Sequence, residues 1–412
     1  MVDERGGTWG RVRRAYAAVA VFVLNTLVVL VLVNAALWWT LSDDRPQQLS
    51  PSYDPARFPK HDLAAVYPGV PLPDVLAMLD ETWRLLRMEA RPWVHYGEAA
   101  FQGRWVNVSA AGYRLNGLPL PSAPPDPPGA PRPFRVFCFG GSTMWGYGVP
   151  DGETIPAHIE RLLAARHPTR RVEVRNYGRA YYFSSQQHAL FVSLLRRGEV
   201  PDVAVFLDGL NEMTAALMSG DRLRLDEPAY FDEVRRRFGW GSDGGAVQAS
   251  WLRTWLPMAE AAHRLGTGRK GRGASPPPPG AAAPPAHDAR LLFDLHRTNR
   301  RLIELAAGEK GVTTLFFWQP VPLVGYDLRH HRFPYGYGRH GDEVLRLLYD
   351  LAATEPEGLI DISRMLATYD QPAFVDAHHY TAAVCRRIAE EIARHVDVPG
   401  PSPAGAPRSP SS

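Results

Sequence analysis

The chain is poor in cysteine. Its 412 residues hold two, Cys138 and Cys385, too few for a disulfide framework or a four-ligand zinc site. It also lacks a charge bias. Lys and Arg number 46 against 43 Asp and Glu, a formal net charge of +3, without the dense basic stripe of a nucleic-acid binder. No nucleic-acid partner is expected. GxSxG, the nucleophile elbow of one large hydrolase class, occurs nowhere. Proline and glycine are plentiful, 38 and 36 residues, but clustered, which marks linkers and not a low-complexity chain. What remains is a chain long enough for one large domain or two ordinary ones, each with a sizeable core.

Residues 15–41 contain no Asp, Glu, Lys or Arg. At about 1.5 Å per residue such a run spans a hydrocarbon core of roughly 30 Å, and it exceeds the roughly 7–15 residues of a secretory apolar region. Arg5, Arg11, Arg13 and Arg14 precede it, Asp43 and Asp44 follow it, and Trp38 and Trp39 suit an interfacial belt. The expected arrangement is a cytoplasmic N-terminus (residues 1–14), a single transmembrane anchor in the lipid bilayer (15–41) and an extracytoplasmic body.

After the anchor, residues 42–133 read as a polar stalk, a small accessory region and a proline-rich linker at 118–133. The accessory region shows helical spacing at 75–88 and two short strands around a turn at 101–117. Asn107-Val108-Ser109 is a glycosylation sequon by pattern; the Ala/Arg/Pro-rich composition makes it coincidental. From residue 134 onward, short apolar runs at 134–139, 172–176, 202–208, 312–318 and 358–362 alternate with helical stretches near 155–166, 187–197, 289–307 and 343–353. Runs apolar on both faces suit a parallel sheet covered by helices, with chemistry at the carboxyl ends of the strands.

Candidate residues follow the first, second, third and fifth of these runs. After the first comes GGSTMWGYG, residues 140–148, with neither the GK[ST] of a P-loop nor the GxGxxG of a dinucleotide fold. Ser142 within it is a turn or cap serine, or an accessible nucleophile. Gly178 follows the second run, where a glycine permits a turn or brings a backbone N–H close to a ligand. Asn211 follows the third and either caps a helix or donates to an oxyanion. Beyond the fifth run, Asp376 and His379 stand three residues apart, spaced for a structural hydrogen bond or for a carboxylate that orients a general base.

These blocks, Ser142, Gly178, Asn211 and Asp376 with His379, taken in order over roughly residues 134–396, resemble those of the SGNH/GDSL hydrolase family. The chain departs from the family pattern in reading GGST for GDS and GLNE for GxND. The resemblance implies a three-layer α/β/α sandwich with a five-stranded parallel sheet, of flavodoxin-like type, spanning residues 134–397. It implies ester hydrolysis or acyl transfer through an acyl-serine. Ser142 would be the nucleophile, His379 the base and Asp376 its orienting acid. The backbone N–H groups of Ser142 and Gly178, with the Asn211 amide, would form the oxyanion hole, and no metal or cofactor is needed. His378 is the alternative histidine, but the DxxH spacing favours His379.

With an envelope location, the expected substrate is an acylated, and specifically acetylated, glycan, and the expected setting is envelope polysaccharide machinery. A lipid esterase or thioesterase, and a silent glycan-binding subunit, are the alternatives. Residues 321–340, rich in aromatics and glycine, read as a rim or a self-packed surface loop. As a rim they offer Tyr326, Tyr335 and Tyr337 to sugar rings. A Pro/Gly-rich insertion at about 266–287 and the tail 398–412 are expected to be disordered. Both thiols are expected to be free.

Overall fold

The structure is a computed structural model that describes residues 5–41, 60–91, 93–117, 132–218 and 284–399. The expected stalk and tail lie almost wholly outside these residues. So do the proline-rich linker, up to residue 131, and most of the insertion, though its last three residues already belong to a helix. The chain divides into two compact units, and among the described residues the first holds only α1 (Arg5–Leu41). Within α1, Arg13–Val33 has a mean hydropathy of 2.6, so by length and composition the helix can cross a membrane; a signal sequence meets the same measure.

The second unit is built on five parallel strands: β5 (Phe134–Gly140), β6 (Val172–Asn176), β7 (Val203–Asp208), β8 (Thr313–Trp318) and β9 (Leu359–Asp361). They are hydrogen-bonded in the order β6-β5-β7-β8-β9. Sequential strands thus lie in the order 2-1-3-4-5 of a flavodoxin-like sheet, whose direction of winding reverses beside β5. The fold is the expected three-layer α/β/α sandwich. Alternation along each central strand loads both faces. Phe137, Phe139, Ala204, Phe206 and Phe316 face α6 (Ser184–Arg196), α8 (Pro285–Gly308) and α9 (Gly338–Thr354). Val136, Cys138, Val205, Leu207 and Phe317 face α5 (Ile155–Arg166) and α10 (Ala382–His395). Phe139, Phe206 and Phe316 sit in register on three adjacent strands and stack, with centroids 4.9 Å apart at each step. Such cross-strand aromatic pairs add stability beyond burial and fix the register. Cys138 and Cys385 are free and buried on the same face, and burial pushes the Cys385 thiol up to about 12.

The segment before the sheet departs from expectation in two ways. First, it is not set apart by the linker. A hairpin of β3 (Phe101–Gln102) and β4 (Asn107–Val108) continues through an isolated pairing at Arg114 to Asn176, the last residue of β6. A second hairpin, β1 (Met88–Arg91) and β2 (His95–Glu98), lies over the loop after β6, where Tyr96 Oη donates to the carbonyl of Ala180. Second, the helix expected to reach residue 88 ends early. After α2 (Lys60–Val66), α3 covers Leu72–Asp80 and passes into one π turn, Glu81–Leu85. The Glu81 carboxylate there accepts the backbone N–H groups of Arg104, Trp105 and Val106, which draws the turn onto the β3–β4 hairpin. Asn107 of the sequon is buried, and its amide donates to Asp151, 2.8 Å away.

Candidate active site

Ser142 opens a four-residue helix, α4 (Ser142–Trp145), at the carboxyl end of β5, with Gly141 before it. His379 lies in the loop that leads into α10. Its Nε2 is 2.8 Å from Ser142 Oγ and its Nδ1 is 2.6 Å from Asp376 Oδ2. The chemistry of these atoms fixes the tautomer. An ionised carboxylate only accepts, so Nδ1 carries the proton and donates, leaving Nε2 to accept from the serine hydroxyl. Asp376 is held in turn, because its Oδ1 accepts the backbone N–H groups of His378 and His379. Burial works against its ionisation, but the charge and hydrogen bond of His379 prevail and keep the carboxyl well below its usual range. His378 is not in this relay: Asp376 accepts from its backbone only, and burial followed by the charge of His379 lowers its imidazole to about 3.

Asn211, on the first turn of α7 (Leu210–Met218), reaches the same place. Its Nδ2 donates to the carbonyl of Tyr182 at 2.8 Å and lies so close to the Gly141 Cα that a Cβ there would collide with it. The amide keeps a second hydrogen for another acceptor. Gly178 packs its Cα against the backbone of α4, where any side chain would strike Trp145. Close approach, and not a turn, is the reason for this glycine. Its N–H donates to Asn176 Oδ1 at 3.0 Å, so this donor is engaged within its own loop. Ser142 N–H is the first of its helix and has no intrahelical acceptor.

Of the three tyrosines considered for a sugar site, one is exposed. Tyr326 is buried, its hydroxyl donating to Gln371 O and accepting from Ala373 N. Tyr337 is half-buried against the core, and Tyr335 is 41% exposed. Beyond the adjacent His378, whose ring centroid is 4.3 Å away, the aromatic ring that comes closest to His379 belongs to the segment before the sheet. Trp83, on the π turn, meets His379 edge-on at 5.4 Å, and Tyr147, itself 4.5 Å from Trp83, stacks on the same imidazole at 5.5 Å.

Several neighbours escaped the sequence reading. Gln319 Oε1 accepts from Thr143 Oγ1 at 2.7 Å and from Tyr380 Oη at 3.2 Å, linking the residue after the serine to the residue after the histidine. It directly follows the fourth apolar run, where the strand-end rule looks for chemistry. A buried group of Asp208, Glu212 and His296 lies beneath the Asn211 loop. The carboxylate oxygens and the His296 Nε2 are already paired, while the buried His296 Nδ1 has no hydrogen-bond partner among the described residues. Glu212 accepts the N–H groups of Ser184 and Gly209, while Asp208 takes Gln187 Nε2 on one oxygen and pairs with His296 on the other. Burial, then the charge of Asp208, raises the Glu212 carboxyl. This arrangement ties two strand-end loops together. His330 and His340 pair with Asp327 and Asp288, while His331 Nδ1 accepts from Phe333 N, so these histidines do not converge.

No family model matches the chain, and no curated protein matches it either. Solved structures similar to it include a member of the lipolytic protein G-D-S-L family from Veillonella parvula, 12% identical over 64% of this chain and 99% of that one, with a TM-score of 0.33. A carbohydrate acetylesterase family member from Sinorhizobium meliloti is 14% identical over 63% and 95%, at 0.31. The acetylxylan esterase Axe2 from Geobacillus stearothermophilus is 12% identical over 63% and 92%, at 0.30.

Proposed function

We propose that the chain is a serine esterase of the SGNH/GDSL type that removes ester-linked acetyl groups from envelope glycans. One observation carries the reading: Ser142, His379 and Asp376 form an unbroken relay of two hydrogen bonds, 2.8 and 2.6 Å long, at the strand ends of the sheet. His379 takes the proton of Ser142 as Oγ attacks the ester carbonyl, and Asp376 stabilises the imidazolium that forms. The tetrahedral oxyanion is met by the N–H of Ser142 and the free hydrogen of the Asn211 amide. Gly178 N–H joins them once it leaves Asn176. Collapse expels the alcohol, which takes the proton back from His379. Water, or a sugar hydroxyl if the enzyme is a transferase, then accepts the acyl group from Ser142.

The glycan assignment is supported by the aromatic surroundings of His379 and by the exposed Tyr335. The envelope setting is supported by α1 and by the four arginines that precede the apolar run, with two aspartates after it, which favours an anchored protein with its body outside the cytoplasm.

The test is hydrolysis of 4-nitrophenyl acetate by the full chain in detergent micelles, beside Ser142→Ala. Turnover by the native chain should fall by up to about 10⁶ in the variant. Equal rates from both would overturn the reading. Release of acetate from acetylated xylo-oligosaccharides, absent with long-chain acyl esters, then checks the substrate class.

A further inference from the structure

We infer that Arg114, a buried residue that precedes the sheet, is a positioning residue for the nucleophile; the inference rests on Ser142 being that nucleophile. α4 is only four residues long, and a helix of one turn does not hold itself together in isolation. Its far end is held from outside. Arg114 is 1% exposed. Its Nη1 donates to the carbonyls of Gly146 at 2.7 Å and Trp145 at 3.1 Å, and its Nη2 donates to that of Val149 at 2.7 Å. The guanidinium lies over the Trp145 ring, 4.1 Å from its centroid. Carbonyls at a helix C-terminus have no intrahelical donor, and here one side chain supplies it.

The charge this buries is matched by Asp151, whose Oδ1 accepts Arg114 Nε at 2.8 Å. Asp151 is itself fixed by the backbone and the amide of Asn107. The main chain of Arg114 takes part as well. Its N–H donates to Asn176 O, while Asn176 Nδ2 donates to Trp145 O and Asn176 Oδ1 accepts Gly178 N–H. One residue therefore holds both the helix that carries Ser142 and the strand end that leads to Gly178. The same segment reaches the Gly178 loop a second time. Glu98 Oε2 pairs with the buried Arg179 at 2.8 Å, and Glu98 Oε1 accepts the N–H of Ala180.

Four of the five N–H donors of the guanidinium serve three carbonyls and a carboxylate at once, and the three donors of a lysine ammonium cannot reproduce this. Loss of the fork lets α4 shift, and a displacement of about 1 Å at a reacting group costs on the order of 10²-fold in rate.

The experiment compares the full chain in detergent with Arg114→Lys and Asp151→Asn. Four quantities are read: kcat and KM on 4-nitrophenyl acetate, the rate of inactivation by diethyl 4-nitrophenyl phosphate, and Tm. The expected result is a drop in kcat and in inactivation rate together, by about 10²-fold for Arg114→Lys and less for Asp151→Asn, with KM unchanged in protein that still melts cooperatively. If Arg114→Lys does not fold, the isosteric Asp151→Asn decides. Folded variants that keep the native kcat, or that lose affinity only, overturn the inference. Failure of the native chain itself to react with the phosphate would instead remove Ser142 as nucleophile, and that outcome is separate from equal labelling of native chain and variants.

Discussion

Trp83 and His379 meet edge to face with ring centroids 5.4 Å apart, and Trp83 also meets Tyr147 at 4.5 Å. The residue that walls the candidate base thus belongs to the segment before the sheet. A half-buried indole beside the reacting groups is a surface on which a sugar ring can stack.

Trp83→Ala should accordingly separate large substrates from small. KM for an acetylated oligosaccharide is expected to rise, while kcat/KM for 4-nitrophenyl acetate changes much less. Steady-state kinetics on the two esters check this, and parallel losses on both would show that the indole serves only to pack His379.

Asp376→Asn removes the carboxylate that fixes the His379 tautomer and leaves the fold in place. Turnover should fall by about 10⁴ with little change in KM. An unchanged kcat would mean that the 2.6 Å contact is structural only.

Asn211→Ala deletes the amide hydrogen assigned to the oxyanion and the bond to Tyr182 O. The expected loss in kcat is about 10²–10³, measured on 4-nitrophenyl acetate with Tm followed in parallel. Loss confined to Tm would reassign Asn211 to holding the loop.

His378 makes stability depend on pH. Unfolded, its imidazole binds a proton near 6.5; folded, burial and then His379 hold it down to about 3. Between these values the unfolded chain binds more protons, so stability is full above the upper value and falls as pH falls toward the lower one. The slope is at most about 1.4 kcal/mol per pH unit for one group. His378→Gln should therefore flatten the decline of Tm between pH 6.5 and 4 relative to the native chain. Identical slopes would refute this.

Much of this was legible in the chain itself. Strands apolar on both faces announce themselves, because every residue of β7 is buried and polar residues would be costly there. The polar residues just past those strands were also readable, since a parallel sheet sends its loops to one edge. What was not legible depends on contacts that no local pattern encodes. Arg114 and Glu98 look like ordinary surface charges in sequence; only the docking of the hairpins on β6 makes them buried ties. Trp83 sits in an apolar helical spacing that reads as core. Tyr326 shows the reverse, an aromatic in a glycine-rich loop whose hydroxyl is used up by main-chain partners.

The π turn at Glu81–Leu85 bears on which changes in length the chain can accept. A π turn holds more residues per turn than an α-helix and commonly arises as a single-residue insertion. Removing one residue just before Trp83 would restore α-helical winding and swing the indole by roughly 100° about the axis, away from His379. The apolar composition would hardly change. A homologue shorter by one residue at this point would keep the sheet and the serine, and would present a different wall beside His379.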